Sequence, residues 1–83
     1  MLEPTRLANK GVSAVVVTPD NTTDIELTSG IYVGETGDLV VTLRDMEDGE
    51  TIVFKSLSPG VVHPLLVKRV WEDTTCVDIV AVY

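Results

Sequence analysis

For special chemistry this 83-residue chain has one cysteine, one histidine, one tryptophan and only four aromatic side chains in all. The lone Cys76 excludes an intrachain disulfide. One histidine and one cysteine fall short of the roughly four nitrogen or sulfur ligands that a structural zinc ion takes. Basic residues are scarce too: six Lys and Arg stand against 13 Asp and Glu, a net charge of −7. That balance argues against nucleic acid as a partner, which demands a cationic footprint. It also disfavours anionic lipid, and it helps to keep a folded particle soluble. No apolar run approaches the roughly 20 residues of a membrane span. The opening MLEPTRLANKG lacks the continuous apolar core of a signal peptide, so synthesis in the cytoplasm is expected. A domain this short buries only about 60% of its unfolded surface. Without disulfide or metal, its reinforcement is expected from neighbours.

What is present is β-sequence. From Asp38 the chain runs Leu39, Val40, Val41, Thr42, Leu43, Arg44, rich in the β-branched residues that suit a pleated surface. Alternation places Leu39, Val41 and Leu43 on one face and Val40, Thr42 and Arg44 on the other. The acidic break at residues 45–49 ends in Asp48-Gly49, a hairpin signal. Residues 50–55 then return with Ile52 and Phe54 on the apolar side. With Ile31-Tyr32-Val33 and a glycine turn at residues 34–37, this stretch predicts a β-meander.

Strands are also expected at residues 12–18, at 24–27 as a short edge, and at 61–71. In that last run Leu65, Val67, Arg69 and Trp71 share a face opposite Leu66, Lys68 and Val70. Pro64 restricts the run to an edge near His63 or to a start at Leu65. Residues 76–83 are expected to form a final strand docked in a sheet. Turns fall at residues 19–23, at Pro59-Gly60 (a type II pair) and at residues 72–75. Turn signals every 8–12 residues or so without a helical stretch predict an all-β fold. The expected form is a small antiparallel, jelly-roll-like β-sandwich of about six or seven strands over residues 12–83, preceded by an N-terminal arm over residues 1–11.

No catalytic constellation emerges. The acidic run at residues 45–50 resembles a calcium loop only superficially: Gly49 sits where that pattern wants Asp or Asn, and no helices flank it. His63 lacks a recognisable nucleophile partner. Cys76 opens an apolar strand among acids, the setting of a buried hydrophobe rather than a reactive thiol. The glycines at 34 and 37 lack the lysine and helix of a phosphate cradle. Tyr32, Trp71 and Tyr83 are either core residues or interface anchors. No cofactor, metal or enzymatic activity is expected.

GIYVGETGDLVVTL (residues 30–43), TIVFKSLSPGVVHPLLVKRVW (51–71) and TTCVDIVAVY (74–83) together resemble the small spike base proteins of tailed phages and gene transfer agents. The resemblance runs from Val12 to Tyr83 and rests on glycines and core positions. Ser58 stands where the family pattern has proline, His63 replaces an aliphatic residue, and Trp71-Glu72-Asp73 replaces a smaller, more neutral stretch. It implies a virion structural protein on the capsid exterior that oligomerises, as a pentamer in preference to a trimer. Its implied partners are the major capsid protein and a spike or fibre protein. Interface candidates are Leu2, Pro4, Arg6 and Leu7 in the arm, and Tyr32, His63, Trp71 and Tyr83 in the body. The competing expectation is a tail-associated protein or a carbohydrate-binding module, with Trp71 beside Tyr32 or Tyr83 as its aromatic platform.

Overall fold

Seven short strands, each ended by a turn former or a change of sheet, make up the chain in the computed structural model, which describes residues 13–83. They are β1 (Ala14–Val16), β2 (Gly30–Glu35), β3 (Gly37–Leu43), β4 (Ile52–Leu57), β5 (Val62–His63), β6 (Val67–Val70) and β7 (Val77–Val82). There is no helix among the described residues. All pairings are antiparallel. A four-stranded sheet has the order β1-β7-β2-β5 and a three-stranded sheet the order β4-β3-β6. The described residues form the expected all-β sandwich of about six or seven strands. Leu2, Pro4, Arg6 and Leu7 lie outside the described residues, as does the proposed arm.

The core lies between the sheets. Ile31, Val33, Ile79 and Ala81 enter it from the first sheet; Leu39, Val41, Val67 and Val70 enter from the second. Val17 and Cys76 complete it, with Phe54, Leu57 and Tyr83 packed around it. Burying a side chain of this size stabilises by roughly 1.5–3 kcal/mol, so the core is the main source of cohesion.

The expected meander does not form. β2 and β3 belong to different sheets, and the chain steps between them at Thr36. Residues 34–37 are therefore a crossing rather than a hairpin turn. Gly37 makes the crossing feasible: a Cβ there would sit 2.8 Å from the Cys76 nitrogen and 2.9 Å from the Thr75 carbonyl carbon. Only β3 and β4 form a hairpin, with Leu39 opposite Phe54 and Val41 opposite Ile52. Its loop spans residues 44–51, wider than a two-residue turn, and within it Gly49 takes a positive φ (+90°) while Asp48 does not. β4 carries one extra residue against β3, at Lys55 and Ser56, where Ser56 adopts φ +54°.

A second crossing replaces the single strand expected over residues 61–71. β5 pairs with β2 at the edge of the first sheet, and β6 pairs with β3 in the second. Pro64, unable to donate a ladder hydrogen bond, occupies the step between them. Just before β5, Gly60 has φ +81°, the backbone that the second central residue of a type II turn requires.

The simple alternation expected of β6 fails at Lys68. Val41 faces Val70 and Thr42 faces Arg69, but Leu43 faces Val67, which leaves Lys68 as a bulge. Val67 and Val70 consequently both enter the core. In β3, Val40 and Thr42 are buried as well as Leu39 and Val41, so both faces of that strand are covered. β1 is shorter than the expected 12–18 run. Residues 24–27 are not a ladder strand: they belong to an irregular strap, residues 17–28, along the free edge of β6. Asp20, Ile25 and Thr28 donate backbone N–H bonds to the carbonyls of Val70, Lys68 and Val67, respectively.

Candidate interaction surface

Strand alternation decides what the first sheet shows to its surroundings. Ile31, Val33, Ile79 and Ala81 point inward, so Tyr32, Val80 and Val82 point outward. The register aligns Val16 with Val80, Val80 with Tyr32, and Tyr32 with Val62. These four side chains form one apolar row across all four strands. A second row joins Ala14, Val82 and Gly30. A Cβ on Gly30 would come within 2.6 Å of the Val62 Cγ1, so Val62 leans over this glycine. Val16 is 74% exposed and Val62 54%, while Tyr32, Val80 and Val82 are half-buried by one another. Asp78 stands at one end, opposite Gly34, in the left-handed region at φ +60°.

The outer side of the second sheet carries Val40 and the exposed Val53 beside a largely self-satisfied polar network. The Trp71 indole N–H donates to the Thr42 hydroxyl at 2.9 Å, and that hydroxyl donates to the Glu50 carbonyl. Arg69 lies 5.1 Å from the centroid of the Trp71 ring. Arg69 also pairs with Asp24 at 2.6 Å and donates to the Asn21 carbonyl, which holds the strap against the sheet. Beyond Trp71, Thr74 and Thr75 continue along β3 past the end of β6: their hydroxyls accept the N–H groups of Val40 and Asp38.

The four candidates within the described residues do not converge. Tyr32 is on the apolar row. His63 is at the β5 edge, its Nε2 2.8 Å from the Ser58 carbonyl, which ties it to the preceding turn. Trp71 is on the far side of the sandwich. Tyr83 packs against the core and donates its hydroxyl to the Glu26 carbonyl in the strap. Tyr32 and Trp71 occupy opposite outer faces, so they do not form one aromatic platform. Sequence alone does not single out Val16, Val62, Val80 and Val82. One signal was available: residues 77–82 are apolar at Val77, Ile79 and Ala81 and again at Val80 and Val82. A strand apolar on both faces reads as one covered on both.

Electrostatics adds little chemistry. Burial, followed by the nearby Asp38 charge, pushes the Cys76 thiol up from its ordinary value, so the thiol is protonated and unreactive at neutral pH. Burial, then Glu26, likewise raises the Tyr83 phenol. The Thr22 amide and hydroxyl hold Asp20 below the usual carboxylate range in an exposed turn. Among the described residues, no three His, Cys, Asp or Glu side chains gather as metal ligands. A shallow groove between Met46 and Leu65-Leu66 is largely apolar and is also lined by the exposed Arg44–Asp45 ion pair.

No family model matches the chain, and no curated protein matches it. Among solved structures, the chain is similar to one from the capsid of a native gene transfer agent (GTA) particle computed with C5 symmetry. The two are 25% identical with a TM-score of 0.73, over 88% of this chain and 83% of the other.

Proposed function

We propose that this protein is a non-enzymatic structural component of a phage-like virion, carried on the outside of the head. The observation that supports the reading is the likeness to a GTA capsid chain over most of both lengths. In this reading the protein assembles with itself, as a pentamer in preference to a trimer. The ring sits on the major capsid protein and serves as the base of a spike or fibre. The physical character of the chain agrees: a small domain with an uncovered apolar sheet face gains stability when neighbours bury that face. The carbohydrate-binding alternative loses ground, because Trp71 and Tyr32 face opposite ways and Tyr83 packs against the core with its hydroxyl donated to the Glu26 carbonyl.

Native mass spectrometry of the purified protein, combined with antibody labelling of intact particles, tests the proposal. A closed pentamer or trimer together with surface labelling supports it. Purified particles that lack the protein altogether would overturn it.

A further inference from the structure

The apolar row on the first sheet needs an occupant, and the chain itself carries a suitable one. Residues 1–11 contain Leu2, Pro4 and Leu7 with two basic residues, Arg6 and Lys10, against the single acid Glu3. Residues 13–83 hold four basic residues against twelve acidic ones. The segment is thus cationic where the body is strongly anionic. Its apolar residues match a face built from Val16, Val80, Tyr32 and Val62, and Asp78 at the end of that face offers a carboxylate to Arg6 or Lys10.

Connectivity decides whose segment it is. The chain enters β1 at Ala14, on the sheet edge and two residues from Val16. To cover its own row, the segment would have to reverse direction and climb from edge to face, which spends about four residues on the turn. Running onward, eleven residues reach about 36 Å at full extension, enough to cross a neighbouring sheet some 15 Å wide.

We infer that the outer face of the four-stranded sheet receives the N-terminal segment, residues 1–11, of an adjacent copy of the same chain. The inference rests on the self-assembly proposed above and names the surfaces that make it. Two bodies of like charge gain contact through an apolar face and a cationic N-terminal segment.

The test places a photo-crosslinking benzoylphenylalanine at Val16, an exposed position, and mixes that protein with 15N-labelled wild type. The expected product joins the label at residue 16 of one chain to residues 1–11 of the other. Adducts confined to a single chain, adducts to the folded body alone, or no adduct in an oligomer would overturn the inference. Full-length protein that stays monomeric by native mass spectrometry would overturn self-assembly itself; an oligomer without the arm adduct would overturn only the arm. As a second variant, Val62→Asp at the exposed row end is expected to weaken assembly about tenfold with an unchanged melting temperature. Unchanged assembly in Val62→Asp would count against the face.

Discussion

At the residue scale, Thr28 does the work that a buried polar group must do. Thr28 is almost fully buried; its hydroxyl donates to the Leu65 carbonyl at 2.7 Å and accepts the Val67 N–H at 3.0 Å. One side chain thus satisfies the backbone on both sides of Leu66, where the chain crosses between sheets. Thr28→Val keeps the shape and removes both bonds, leaving a buried donor and acceptor unpaired. The expected loss is about 1–3 kcal/mol, read from urea unfolding midpoints. Cys76 gives a pH dependence with a definite sign. Its folded pKa lies above the ordinary 9.0, so the unfolded chain releases the proton first. This contribution is intact below 9.0 and is lost as pH rises above it. Melting temperature is therefore expected to hold level through neutral pH and to fall above pH 9.0, with that part of the fall absent in Cys76→Ala.

At the scale of elements, the strap and the crossings are where substitutions tell most. Arg69 holds the strap by its ion pair with Asp24, its bond to Asn21 and its stacking on Trp71. Arg69→Ala is expected to cost about 1 kcal/mol, since the pair is partly exposed. The change should appear as faster hydrogen exchange at the Asp20 and Ile25 amides, with the β7 amides unaffected. Gly37→Ala drives a Cβ into the backbone of residues 75–76, which cannot swing aside, so a loss of about 1–3 kcal/mol is expected from thermal melts. These same places mark the limit of what the sequence disclosed. Turns at Pro19-Asp20, Pro59-Gly60 and Glu72-Asp73 were legible because proline, glycine and aspartate act on their own backbone. Sheet membership was not, because Gly34 and Gly37 look alike whether the chain turns back or crosses over. The bulge at Lys68 left no local trace and shifted the face of half a strand. The apolar row was hidden for a related reason: Val16, Val80, Tyr32 and Val62 meet only once four distant segments are in register.

At the scale of the whole molecule, the order β1-β7-β2-β5 sets how the fold can be reached. Its pairings join residues far apart in sequence, such as Ala14 with Val82 and Gly30 with Val82. Folds dominated by such pairings form in milliseconds to seconds rather than microseconds. Stopped-flow refolding followed by Trp71 fluorescence is expected to fall in that slower range. β7 lies between β1 and β2, so until it arrives β1 has no ladder partner and β2 has only the two-residue β5. On the ribosome the three-stranded sheet can assemble once β6 and Thr75 have emerged. The four-stranded one must wait until Val82 clears the exit tunnel. Until then the nascent chain presents β1 and the β7-facing side of β2 as open edges. A translating cell therefore handles this protein as an unfinished sheet until β7 has emerged, with open edges that call for shielding.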